Sequence, residues 1–519
     1  MRRSVVYYLG GFFVVTFILL GFIYLSLYEE INRHHQHQVR PSEADLGYCV
    51  RCNHGDTLCT HLPVMIIDTM GASTIPGRPV AFYTGDYRFY YQRHFVTAPY
   101  DEEEIQVLVS VIDNYNDWNH ESDMPAHESL AMMRIRGNSS RYFDKASYRI
   151  RLVDGDEDNY LPLLGMDPHF EWALHGPFLD KTLMRNYVWM NIAAEVMGPE
   201  AFVPEVRFFE LIIDGEFMGL YILMETIRVN PSRVYLTRYR RGMPATSYLV
   251  RFNTFSHTPE RRVDTFATYS MRLEGGNSLE LLYPRLLRQT DTTRDYVARS
   301  VSRLEQLMYS MEIVHNPGFY ERYIDINSFV NFYIINEFIA NNDLWAGSTY
   351  FHKDIHSRLT AGPVWDFNNV TDNFFLTMPV DEFLLADRGW FDRLMMCPHF
   401  TDRVIRRWHN LRGGILAEER LIAYKQDVED WLGSAIGRNF DVWGYSFDPS
   451  AVSPMARRRP TYAQAAEGLT IFDLNPSSFD EAVDQALEFM ITRGRWLDSY
   501  IETLRQFSHT SRHALWVLQ

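Results

Sequence analysis

The chain has 519 residues, and its 46% apolar and 15% aromatic content is ample for a large buried core. A formal charge of −16 argues against a phosphate-backbone binder, so no nucleic-acid partner is expected. The acidic balance fits solubility, or basic or metal-bearing partners.

From Val5 to Leu27 no residue is charged. As a helix this run would be roughly 34 Å long, enough to cross a bilayer core of about 30 Å. Arg2 and Arg3 precede it and Glu29 and Glu30 follow, which places the basic end in the cytoplasm. A cleaved signal peptide is the rival reading, but no small-x-small site follows before His34, His35 and His37. The expectation is a single-pass membrane protein: a cytoplasmic stub at 1–4, a transmembrane anchor at 5–28, and the bulk of the chain periplasmic or extracellular. Residues 29–62 read as an exoplasmic stalk. Within it lie Cys49, Cys52 and Cys59, with His54 and His61 interleaved; Cys397 is remote. In an oxidising compartment the cluster reads as a disulfide, with a third thiol free or paired to Cys397. A zinc site using Cys49, Cys52, Cys59 and a histidine is the alternative.

Ordered structure is expected to begin with a strand at Pro63–Asp68, and aromatic–polar alternation predicts another over Ala81–Tyr100. The stretch Met132–Leu152 reads as two strand-like pieces flanking a loop with Gly137, Asn138, Ser139 and Ser140, followed by Lys145. Small residues let backbone N–H groups approach an anion, and Arg136 and Lys145 add charge; an ordinary polar hairpin is the bland alternative. Leu183, Tyr187, Met190, Ala194 and Met197 repeat at helical spacing, with Asp180 placed to cap the start and Gly198-Pro199 to end the helix. Val206–Ile213, then Asp214-Gly215, then Phe217–Ile227 predicts a hairpin. After Pro284 the texture turns helical, over 291–313, 325–340, 401–412, 417–436 and 479–506. The pattern is α+β, with a strand-rich part at 63–290, a helical part at 291–519, and a cleft between two lobes.

Two acids end apolar elements. Asp343 follows the helix at 325–340, and Asp366 stands in Gly362–Asn369. Such a pair can divide phosphoryl transfer, one carboxylate orienting the attacking hydroxyl and the other holding a metal. Helix- or strand-end capping is the plain alternative.

The ordered set RGNSS…K.SYR, DK.LMRN, a hairpin ending GLYILMET, N.D…STY..KD and GPVWDF resembles the CotH family of atypical protein kinases. Trp390–Leu394, Arg407-Trp408, Leu411-Arg412, Arg493, Trp496, Leu497 and Asp498 extend the similarity over roughly residues 60–505. The resemblance implies a kinase-like two-lobed fold, ATP with Mg²⁺ or Mn²⁺, and phosphorylation of Ser or Thr on secreted or envelope proteins. By position, Lys145 would hold nucleotide phosphates, with Arg136 and Ser140 lining the same loop. Met224, Glu225 and Thr226 would form an adenine-facing hinge. Asp180, Arg185 and Asn186 would serve structural or phosphate-side duty. Asp343 falls at the catalytic acid and Asp366 at the metal-binding acid. Asn368 stands where the family has a second acid, and an amide oxygen binds a hard cation without charge. Ala146 stands where a second Lys is common. A catalytically weak or inactive kinase-like scaffold is the alternative function.

Overall fold

The computed structural model describes residues 34–52, 58–79, 103–243, 245–253, 259–270, 278–310, 313, 318, 320–344, 347–373 and 378–509. The expected strand at Ala81–Tyr100 lies outside them.

Seven strands form the first body: β1 (Val64–Asp68), β2 (Ile105–Ile112), β3 (His127–Ile135), β4 (Tyr148–Asp154), β5 (Glu171–His175), β6 (Val206–Ile213) and β7 (Glu216–Glu225). Their order is β3-β2-β1-β6-β7-β5-β4, and β4 returns to pair with β3, so the sheet closes into a barrel. All pairs are antiparallel except β1–β6. Alternation dictates the interior: on β2 and β3 the residues Val107, Val109, Val111, Ala131, Met133 and Ile135 point inward and meet Trp172, Leu174, Phe209 and Tyr221. The hairpin between β6 and β7 turns on Asp214 (φ 51°) and Gly215 (φ 79°), the left-handed pair of a two-residue I′ turn. Every residue of β6 is buried, because its outer face packs on a helix.

That helix is α1 (Arg185–Met197). The helical body adds α2 (Asp291–Met308), α3 (Ile326–Phe338), α4 (Pro398–Arg412), α5 (Glu418–Leu432), α6 (Ser434–Trp443) and α7 (Phe479–Tyr500). A second, antiparallel sheet combines β8 (Tyr248–Asn253), β9 (Arg262–Val263), β10 (Ser278–Tyr283), β11 (Thr349–Lys353) and β12 (Thr360–Ala361) in the order β9-β10-β8-β11-β12. Asp325 caps α3 by accepting from the Asn327 and Ser328 amides. The helix expected over 417–436 breaks at Gly433 (φ 49°), where a side chain would crowd the Glu43 carboxylate at 3.0 Å.

The molecule is α+β, with two departures from the expected organisation. Strands β1–β7 close into a barrel, and one hydrophobic core runs from Leu62 to Leu504, across the boundary expected at 290/291. The supposed stalk is packed over its described part. Gln36 exchanges hydrogen bonds with the Phe208 backbone, His35 bonds Tyr424, and Arg40 forms a two-pronged ion pair with Asp113. The expected disulfide is absent: Cys49, Cys52, Cys59 and Cys397 are all free thiols. The expected single-pass placement is also corrected, since no helix among the described residues is long and apolar enough to cross a membrane. The apolar α3 has 13 residues, about 20 Å, and is a core helix. The run at 5–28 lies outside the described residues.

Candidate functional site

Two loops meet beside the barrel. The first leaves α3 through Ala340 (φ 52°) and is pinned by its own side chains. Asn341 donates from its backbone to the Asn336 carbonyl and from Nδ2 to Asn336 Oδ1, while its Oδ1 accepts from the Asp343 amide at 3.1 Å. The second leaves β12 and carries Trp365, Asp366, Asn368 and Asn369. The Thr371 amide donates to the Ile339 carbonyl at 2.9 Å, and Asn369 Nδ2 donates to Asp343 Oδ2 at 3.3 Å, which locks the loops together. Phe367 N donates to Asn186 Oδ1 at 2.7 Å, fixing the second loop to the start of α1.

Asp366 (φ 62°), Thr371 (φ 52°) and Asp372 (φ 63°) are all left-handed, and for β-branched Thr371 this is costly. Three such residues in one short loop mark a conformation held by its surroundings. Both acids keep part of their surface open. Burial raises the pKa of the Asp343 carboxyl, partly offset by the Asn369 hydrogen bond. Burial, then the neighbouring Asp343 charge, pushes Asp366 up to about 6, against the pull of Arg136 and the Asn368 amide. Arg136 lies 5.5 Å over the Trp365 ring. The structure therefore brings Arg136, Asp343, Asp366, Asn368 and Asn369 together.

Asp180 organises the adjoining basic side. It accepts from the Arg185 amide at 2.8 Å, which caps α1, and pairs with the Arg185 guanidinium at 2.5 Å. Arg185 Nε also donates to the Val370 carbonyl and to Thr371 Oγ1, both at 3.1 Å. A cleft lies alongside, lined by Lys181, Arg185, Asp372, Arg457, Arg458 and Asn475 among others. Lys181 donates to the Phe178 carbonyl and Ser446 Oγ, and burial brings its pKa down to about 7.

Other expected residues sit differently. Lys145 is buried and already engaged, donating to the Leu220 carbonyl at 2.6 Å and to Asn439 Oδ1 at 2.5 Å, so α6 occupies the ammonium expected to hold phosphates. Ser140 turns inward and donates to the Arg136 carbonyl at 3.4 Å; a side chain at Gly137 (φ 116°) would collide with it. Met224 and Glu225 lie in β7, paired on one side to β5 and, at Met224, to β6 on the other; the Glu225 amide donates to the Glu205 carbonyl. Thr226 accepts from Arg233 Nη1 at 2.6 Å. Along β7, Glu225 stands about 17 Å from the Leu220 carbonyl that holds Lys145. Glu225 and Thr226 belong to a separate ion network around Glu171, Arg228 and Arg233, which holds the Glu171 carboxyl well below the usual range despite its burial.

Sequence reading missed His175, Asn369, Arg457 and Arg458. His175 is buried at the end of β5, and its Nε2 has no partner among the described residues. Burial, then the Arg136 charge, brings its pKa down to about 3. The Arg457–Arg459 run was the available signal for the basic rim.

Fold and site together define an α+β protein that carries two partly buried carboxylates on interlocked loops, next to a cleft lined by basic side chains. Residues 133–497, most of the chain, match the family model described as CotH kinase protein, and the chain belongs to the CotH family. A search of curated proteins found no match to the chain.

Proposed function

We propose that this CotH-family chain is a protein kinase of kinase-like two-lobed architecture, transferring the γ-phosphate of ATP to Ser or Thr hydroxyls with Mg²⁺ or Mn²⁺. The observation that carries the reading is the pairing of Asp343 and Asp366 across two interlocked loops. Asp343, oriented by Asn369, would accept a hydrogen bond from the acceptor hydroxyl and take its proton. Asp366 would hold the divalent ion, with Asn368 and Asn369 as neutral oxygen donors. The residues fit such a cation: Asn368 Oδ1 and Asn369 Oδ1 are buried with no partner among the described residues, and Asp366 carries like-charge strain that a cation would relieve. When bound, the ion would supply charge neutralisation at the phosphates. Lys181, Arg185 and Arg458 line the cleft and would face the phosphate oxygens once released from their present partners.

A non-catalytic scaffold is the second reading. Asn368 replaces an acid, and the Lys145 ammonium is spent on Asn439 and Leu220. Incubating the full chain with γ-labelled ATP and Mg²⁺ or Mn²⁺, alone and with a generic protein acceptor, separates the two. Label on Ser or Thr supports the kinase. Its absence with both metals, alongside a folded protein, supports the scaffold.

A further inference from the structure

Outside the residues that line the cleft, three thiols and an imidazole converge. Cys59, in the short strand Cys59–Thr60, lies directly opposite His120, in Asn119–His120, as an antiparallel partner on the same face. The turn at 49–52 folds over this bridge. It brings Cys49 Sγ to 3.4 Å and Cys52 Sγ to 3.6 Å from His120 Nε2. One ligand atom from each of the four residues lies within 4.8 Å of the others. We infer that Cys49, Cys52, Cys59 and His120 form a structural zinc site. This inference is independent of the kinase reading.

The distances carry the assignment. With Zn–S near 2.3 Å and Zn–N near 2.05 Å at tetrahedral angles, the S···N edge is about 3.6 Å. Both observed S···N separations match that edge. The second shell agrees: His120 Nδ1 lies 3.5 Å from Asp123 Oδ2, which turns Nε2 toward the sulfurs, as in carboxylate–histidine–zinc arrangements. Asp123 is held in turn by Arg51 Nη1 at 2.9 Å and Asn114 Nδ2 at 2.7 Å. Thiolate-rich tetrahedral sets select zinc over the hard, oxygen-seeking cations of the cleft. Four protein ligands leave no open position, so the site builds structure. It clips the segment before β1 onto the connection between β2 and β3. That segment also grips the helical body, through the Glu43 contacts to Ser434 and Arg438 and the Trp431 bond to the Pro41 carbonyl.

The test is metal analysis of the full chain purified from zinc-supplemented cells. One zinc per chain is expected, with sulfur and nitrogen in a three-to-one ratio by X-ray absorption. Cys52→Ser, at an exposed position, should lose the metal while keeping its circular dichroism spectrum. Cys397→Ser should keep it. Asp123→Asn should weaken zinc binding about 10–100-fold in a chelator competition. A folded, zinc-free protein with reactive thiols overturns the proposal, and so does a disulfide among Cys49, Cys52 and Cys59 in unreduced mass spectra.

Discussion

Asn369 Nδ2 donates to Asp343 Oδ2 at 3.3 Å across the seam between the loop after α3 and the loop after β12. The bond leaves the other carboxyl oxygen of Asp343 available to a ligand. The same seam carries the Thr371–Ile339 backbone bond. A shift in either loop would therefore move both acids, so the pair acts as one unit.

Removing each acid separates their proposed roles. Asp366→Ala should abolish phosphotransfer and also weaken metal-dependent nucleotide binding, measured calorimetrically with and without Mg²⁺. Asp343→Ala should cost about 10²–10⁴-fold in transfer while leaving nucleotide affinity nearly unchanged, since that residue faces the acceptor. Full activity in both variants would show that the reaction lies elsewhere.

Arg493, from one of the motifs near the end of the chain, is a structural residue. Its guanidinium is fully buried, pairs with Glu337 at 2.5 Å and donates to the carbonyls of Glu337, Pro379, Val380 and Glu382. Arg493→Ala leaves Glu337 buried without its cation, at a cost of about 3–5 kcal/mol. Thermal melts should show the loss, while the fraction that stays folded binds nucleotide as wild type does. A variant with wild-type melting but lost binding would place Arg493 in the site.

Acid should unfold this protein early. Burial holds His37, His169 and His175 down to about 3 and His35 down to about 4, so each is neutral when folded. In the unfolded chain they titrate near 6.5, and below that pH the unfolded state takes up protons that the native state refuses. The stability is thus fully present above pH 6.5 and is lost as pH falls through about 4 for His35 and on to about 3 for the other three. Four histidines at about 1.4 kcal/mol per pH unit amount to roughly 8 kcal/mol by pH 5, comparable to a whole domain's stability. Asp366, with its raised pKa, works in the opposite direction and offsets a part. Urea midpoints at pH 7 and pH 5 decide it: no fall at the lower pH would mean these imidazoles are solvated.

Local chemistry made much of the fold legible. The β6–β7 hairpin announced itself through Asp214-Gly215, α1 through its apolar spacing and Asp180, and α3 through its apolar-rich helical texture. Asp343 and Asp366 were visible because each ends an apolar element. Long-range closure was not. Nothing in β3 or β4 alone says that they seal a barrel. Lys145 reads as a free cation until Asn439, 294 residues on, closes over it. His120, too, joins the cysteines through a strand bridge, whereas His54 and His61 were the histidines that spacing offered. The packing of His35 and His37 against Tyr187 and Tyr424 depends on partners equally remote, which is why the segment read as a stalk.

Asn368→Asp decides between kinase and scaffold. Asn368 Oδ1 is buried and without a partner among the described residues, next to an Asp366 already pushed up to about 6. A third carboxylate there adds repulsion when no cation is present and attraction when one is. The variant should therefore melt lower than wild type in chelator, gain more from added Mg²⁺ or Mn²⁺, and transfer phosphate faster or at lower metal concentration. If wild type transfers nothing with either metal and Asn368→Asp creates activity, the natural chain is a scaffold that lost one charge. If the melting response to metal is the same in both proteins, Asn368 does not face the cation, and the metal site must be rebuilt around Asp366 without it.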